Sequence, residues 1–216
     1  MPANETAHVN IQRMYDSLAA VYPASSNLLH SLAHQNALAA ASICNGMSVL
    51  EVATGSGEMF RRIASVNPNG MTVGLDLAPK MAARTQADIQ EAFPNGNNIC
   101  HAADARYLPF KDASFDAIVC CYLLELIPAK DLEATLAGFH RVLRPGGRLA
   151  ITLIGENLGF FNFGYKICAG LVPAFWGDQM EDRATSTIAR VGFEVTHDQR
   201  VRQLFYPSRV LVATRR

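Results

Sequence analysis

Residues 48–60, SVLEVATGSGEMF, decide how the rest of the chain is read. An apolar run carries an acid, Glu51. A small-residue turn follows at Ala53-Thr54-Gly55-Ser56-Gly57, and a helical segment opens behind it. The next apolar run, residues 71–75, closes on a second acid, Asp76. A strand, a glycine turn, a helix and a second strand tipped by a carboxylate are the parts of a nucleoside-type pocket. Gly55 and Gly57 permit a sharp turn and close approach of a ligand to the backbone. Asp76 stands where a ribose diol needs a double hydrogen-bond acceptor. Taken alone, such glycines serve tight strand–helix packing equally well.

The turn is not a complete dinucleotide fingerprint, because Ala53 stands at the first glycine position and Phe60 at the last. A pyrophosphate requires a helix N-terminus free of negative charge. Here Glu51 and Glu58 flank the turn and repel phosphate. A nucleoside without phosphates that carries a cationic group suits these charges better. S-adenosylmethionine, with its amino-acid end and sulfonium, is such a ligand.

Three further segments extend the pattern. A short strand ends at Asp104-Ala105, where an acid and the next backbone N–H suit an adenine edge, or where the acid simply caps a turn. Ser114-Phe115-Asp116 opens an apolar strand through Cys121, as expected for a strand buried on both faces. Leu143-Arg144-Pro145-Gly146-Gly147-Arg148 reads as a helix end, a turn and the start of a strand running 148–154.

In order over residues 48–154, this set resembles the class I S-adenosylmethionine-dependent methyltransferases. Met14-Tyr15-Asp16-Ser17-Leu18-Ala19-Ala20-Val21-Tyr22 is similar to the Y-D-x-x-A-x-x-Y segment of the ubiquinone/menaquinone-biosynthesis methyltransferases and related phospholipid N-methyltransferases. Pro23 departs from the acid usual there. The resemblance implies cofactor roles. Glu51, Ala53, Gly55 and Gly57 line the methionine end, Asp76 holds the ribose, and Leu77 packs on adenine. Asp104 and Ala105 take the adenine edge, and Cys120 or Cys121 offers a backbone carbonyl to the methionine amine.

The 216 residues, half of them hydrophobic, suffice for one core. Lys+Arg and Asp+Glu both number 19 and no basic stripe appears, which disfavours nucleic acid as a partner. The five cysteines form no C-x-x-C and read as small core residues in a reducing cytosol. Residues 1–10 are polar and lack the apolar core of a signal peptide, consistent with a cytoplasmic chain.

The expected architecture is α/β: a doubly wound, Rossmann-like, seven-stranded sheet, mostly parallel, with an antiparallel C-terminal hairpin strand. Residues 1–216 form a single domain, with 1–45 as an N-terminal helical cap and 155–180 as an apolar lid insertion. Helices are expected at 10–21, 27–43, 57–66, 79–93, 129–142 and 179–190, with a break at Pro23-Ala24-Ser25-Ser26-Asn27. Strands are expected at 48–53, 71–75, 98–102, 115–121, 148–154, 193–200 and 208–214. The 203–207 link is too short for a crossover.

Residues 158–176 hold Phe160, Phe161, Phe163, Tyr165, Phe175 and Trp176 with one charge, Lys166. Gly159, Gly164, Gly170 and Pro173 interrupt the run and argue against a membrane span. Two readings stay open: a helix pair over the core, or a lid over the acceptor. A lid of this kind implies a hydrophobic acceptor such as a quinol, a lipid or a secondary metabolite, and offers a peripheral membrane contact. The residues do not fix an oligomeric state.

Methyl transfer needs in-line positioning and, for some acceptors, a base. Tyr15, Tyr22 and Tyr165 are the candidate catalytic residues, although a helical tyrosine serves a core equally well. His30 and His34 share a helix face, but no third ligand stands out, so no metal is expected. Glu125 is either a pocket acid or a solvated helix-start acid. Competing functions are a nucleoside-binding regulator or partner subunit without turnover, and a nicotinamide-dependent oxidoreductase. Glu51, Glu58 and the incomplete glycine pattern weigh against the second.

Overall fold

The computed structural model describes residues 22–155, 181–202 and 207–216. The elements are α1 (Tyr22–Ala41), β1 (Ser48–Val52), α2 (Glu58–Val66), β2 (Met71–Asp76), α3 (Pro79–Ala92), β3 (Asn97–Ala102), β4 (Phe115–Cys121), a 3-10 turn (Leu124–Leu126), α4 (Leu132–Val142), β5 (Leu143–Ile154), α5 (Glu181–Arg190), β6 (Phe193–Val201) and β7 (Ser208–Arg215). They build a seven-stranded sheet in the order β3-β2-β1-β4-β5-β7-β6. β1 to β5 pair in parallel, and β7 runs antiparallel between β5 and β6. The hairpin expected from the short link between the last two strands is therefore present.

Each central strand divides its side chains between two apolar layers, the two-residue period of a pleated sheet. On one face, Leu50, Val52, Ile118, Leu149 and Leu211 pack with Leu136, Phe139 and Val142 of α4 and with Ile188 of α5. On the other, Val49, Val119, Ala150 and Val212 meet Met59 and Ile63 of α2 and a row of α1 alanines, Ala33, Ala37 and Ala41. These alanines recur every four residues, so α1 lays a small-residue stripe close on the sheet across β4, β5 and β7.

Two boundaries differ from expectation. Pro23 does not break the chain; it lies in the first turn of α1, where a missing N–H costs no helical hydrogen bond. β5 begins at Leu143 rather than Arg148, because Leu143 pairs with Phe115 before the register slips at Phe115/Ala117. Asp116 ties this corner together. It accepts from the Ser48 N–H at 2.8 Å and pairs with Arg144.

The strand order reverses beside β1, between β2 and β4. Connections leave in opposite directions there and open a crevice at the carboxyl ends of the strands. Among the described residues, no helix is long and apolar enough to cross a membrane.

Candidate functional site

The crevice at this switch point holds about 990 Å³ of empty space, its open side included. Its floor is the β1 turn. Ala53 and Thr54 both donate their N–H to the Leu75 carbonyl, at 2.8 and 3.0 Å, which binds the turn to β2. Ala53, Gly55 and Gly57 all have positive φ, at 65°, 50° and 78°. Gly57 ends the turn as the N-cap of α2 and presses on Thr85, so a Cβ there would lie 3.0 Å from Thr85 Oγ1. Gly57 therefore shapes the site without lining it, while Gly55, Ala53 and Leu77 do line it.

Asp76 reaches across the β2 tip. Its Oδ2 accepts from the Gly55 N–H at 2.7 Å and its Oδ1 from the Ala78 N–H at 2.9 Å. Asp104 and Ala105 also line the crevice. The Asp104 carboxylate is gripped by Arg106, whose Nη2 stands 2.6 Å from Oδ2, and Arg106 reaches on to Asp131. The sequence leaves Asp104 two roles, adenine edge or turn cap; the structure adds an arginine partner to either.

Glu51 lies at the base of the crevice, fully buried, and among the described residues its Oε2 has no hydrogen-bond partner. Burial pushes its carboxyl well above the usual range. The neighbouring Cys121, Asp76 and Glu58 push the same way, and His34 opposes them. A buried polar atom without a partner is costly. A cationic ligand group at this place supplies both the missing hydrogen bond and the missing charge, so these residues fit the ammonium and sulfonium of S-adenosylmethionine.

Of the two cysteines considered at the β4 tip, Cys121 lines the crevice, whereas Cys120 is wholly buried in the core. Glu125 is neither a pocket acid nor solvated. It is buried beneath the crevice wall with Oε1 accepting from the Ile154 N–H at 2.6 Å, and burial raises its pKa to about 7. Tyr15, Tyr165 and residues 156–180 of the lid expected at 155–180 lie outside the described residues, and of Tyr22 only the backbone is described.

Two crevice residues carry no sequence signal strong enough to single them out. His34, which reads as half of a packed or solvated pair, points its Nδ1 at Glu58 Oε2, 3.2 Å away. Arg62 holds the other oxygen of Glu58 at 2.7 Å. Burial alone would lower the pKa of His34, but Cys121 and Glu58 outweigh it and raise it to about 10. Glu58, 24 positions from His34 in sequence, is joined to it only by tertiary packing. Tyr122 holds φ at 55°, a left-handed backbone unusual for a tyrosine, and its hydroxyl meets Ser208 Oγ at 2.7 Å. Its position directly after β4 was the available signal, since residues just past strand ends line such crevices. Among the described residues, no cluster suited to a metal is present.

Known proteins are similar to this chain in sequence and in fold. Residues 49–147 match the family model described as a methyltransferase domain. The chain is 32% identical to the Saccharophagus degradans ubiquinone/menaquinone biosynthesis C-methyltransferase UbiE over 163 residues, covering 69% of this chain and 65% of that one. It thus spans less than two thirds of the length of the curated relatives it matches. In fold it is similar to a chain of the Haloferax volcanii complex containing the Trm112 methyltransferase activator, with TM-score 0.78, 18% identity, and 94% and 96% of the two chains covered. It is also similar to magnesium protoporphyrin IX methyltransferase from Synechocystis PCC 6803 with bound SAH, with TM-score 0.66, 22% identity, and 100% and 89% covered. The glycine turn, the acids at the β1 and β2 tips and these likenesses converge: residues 49–147 match a methyltransferase domain, and the chain resembles the UbiE C-methyltransferases.

Proposed function

We propose that this protein transfers a methyl group from S-adenosylmethionine to a carbon of a small hydrophobic ring of the quinol type, in the cytoplasm. The observation that carries the reading is the Oε2 of Glu51, without a hydrogen-bond partner among the described residues, at the base of a crevice whose rim is Asp76. An anionic dinucleotide would meet repulsion there; a cationic amino-acid nucleoside meets a partner. The quinol class is supported by the curated relatives, which are named for ubiquinone and menaquinone biosynthesis. It is also supported by the aromatic content of residues 158–176, which suits a hydrophobic acceptor and a peripheral membrane contact.

The bound cofactor supplies an electrophilic methyl on an already charged leaving group. The chain supplies position. Glu51 holds the ammonium, Asp76 with the Gly55 turn fixes the ribose, and Leu77 with Ala105 forms an apolar wall for the base. Nucleic acid is not an expected partner of a chain with equal numbers of acidic and basic residues.

Calorimetry with S-adenosylhomocysteine and with NADH tests the cofactor. Binding of the first and not the second is expected, and Glu51→Gln should weaken it by about 2 kcal/mol, the scale of a hydrogen bond to a charged group. Labelled-methyl transfer to a quinol then tests the reaction. Cofactor binding without transfer to a quinol would reject the acceptor and favour a regulator, while NADH binding would reject the whole reading.

A further inference from the structure

Asp104 lines the crevice just past β3, and its carboxylate is held from two positions along the chain. The Arg106 backbone N–H donates to Oδ1 at 2.9 Å. The Arg106 Nε lies 3.0 Å from Oδ1 and 3.1 Å from Oδ2, and Nη2 donates to Oδ2 at 2.6 Å. Arg106 thus makes two contacts to each oxygen of a group that offers about four acceptor sites in all. The arginine is itself anchored. Its Nη1 reaches Asp131 Oδ2, at the start of α4, over 3.3 Å, and its guanidinium carbon stands 5.4 Å from the centre of the Tyr107 ring.

A neutral amino group that sought Asp104 would have to displace this fork. Hydrogen bonds between two charged partners are about twice as strong as those between neutral ones, so the exchange is unfavourable. It would also strip the guanidinium of one of its two acids where only 17% of its side chain is exposed. Other residues lining the crevice, Leu77, Ala105, Leu126 and Ile127, offer a purine apolar surface. Apolar contact is non-directional and does not register a single amino substituent.

We propose that Arg106 is a specificity-determining residue: it withholds the Asp104 carboxylate from the cofactor's base, so that the crevice holds the purine by shape and apolar contact and tolerates a cofactor without the 6-amino group. This rests on the cofactor reading above and deepens it. The acid that the resemblance assigns to the adenine edge is spent within the protein, on the arginine two residues further on. Discrimination among cofactors is then left to the ribose and the amino-acid end, where Asp76 and Glu51 stand.

The experiment is calorimetry on the full chain with two ligands. One is S-adenosylhomocysteine. The other is its purine analogue, which carries hydrogen in place of the 6-amino group and keeps every ring nitrogen. In the unaltered protein the two affinities are expected to agree within about threefold; a larger preference for S-adenosylhomocysteine would show that Asp104 reads the amino group and would overturn the proposal. In Arg106→Met the fork is gone while an unbranched apolar stem remains. Asp104 is then open to the ligand, and the preference for S-adenosylhomocysteine should rise to about tenfold, the scale of a hydrogen bond to a charged group. A ratio unchanged in Arg106→Met, with the fold verified by a thermal melt, would also overturn it. The comparison in the unaltered protein requires no variant, so the proposal stays falsifiable where Arg106→Met unfolds. Binding of neither ligand is a different failure: it rejects the cofactor reading, and the proposal falls with it.

Discussion

The Gly55 N–H donates to Asp76 Oδ2 at 2.7 Å, so the glycine turn after β1 and the acid at the tip of β2 form one rigid unit. The same carboxylate accepts from Ala78 at the start of α3. Asp76 thus carries two duties: it holds the turn in shape and presents acceptors to the crevice.

Asp76→Ala removes both. The expected loss is about 1–3 kcal/mol in S-adenosylhomocysteine affinity, with a further loss of stability because two buried N–H groups lose their acceptor. Calorimetry and a thermal melt measure the two effects. Unchanged affinity would dismiss Asp76 as a ligand group.

Ala53 sits at φ 65°, in the left-handed region where a Cβ costs about 1–2 kcal/mol. Glycine relieves that strain but loses about 0.5–1 kcal/mol through its freer unfolded chain. Ala53→Gly should therefore stabilise the fold by roughly 0.5–1 kcal/mol, a rise in Tm of about 2 °C. A lowered Tm would show that the strain is absorbed elsewhere.

Gly74 faces the turn from β2. A Cβ there would stand 2.8 Å from Thr54 Cγ2 and 2.9 Å from Phe60 Cε2. Phe60 is fully buried and cannot retreat. Gly74→Ala should cost about 1–3 kcal/mol by overpacking, read from urea unfolding, and should weaken ligand binding because Thr54 shifts with the turn.

Glu125 supplies a pH dependence. Its folded value, about 7, lies above the ordinary glutamate value, so the folded chain binds this proton more tightly than the unfolded one. The stability this proton contributes is complete below the ordinary glutamate range. It is lost as pH rises to about 7, and the loss is level beyond. In the Glu125→Gln variant the side-chain amide does not titrate and keeps an oxygen for the Ile154 N–H. The variant should therefore gain about 2 kcal/mol over the unaltered protein between pH 5 and pH 8 in paired denaturant titrations. Parallel curves at the two pH values would remove Glu125 as the cause.

The strand and helix sequence was legible because it rests on local rules. Alternation and apolar runs placed all seven strands, and the 203–207 link was too short for anything but a hairpin. Local rules misplaced Pro23, since a proline in a first helical turn and a proline in a break look the same until the helix is seen. They also missed the start of β5, where Leu143 is held by a partner strand.

For the site, chain order was enough to locate the acids and the glycine turn. Glu51, Gly55, Asp76 and Asp104 lie at or near strand ends, and parallel strands bring their carboxyl ends to one edge. What those acids do is a matter of packing. Docking of α1 against the sheet brought His34 to Glu58, and closure of the layers folded Glu125 inward and left Glu51 Oε2 without a hydrogen-bond partner among the described residues. Hydrogen bonds and desolvation depend on neighbours tens of residues away, and no local pattern records which side chain will be nearest once the layers close.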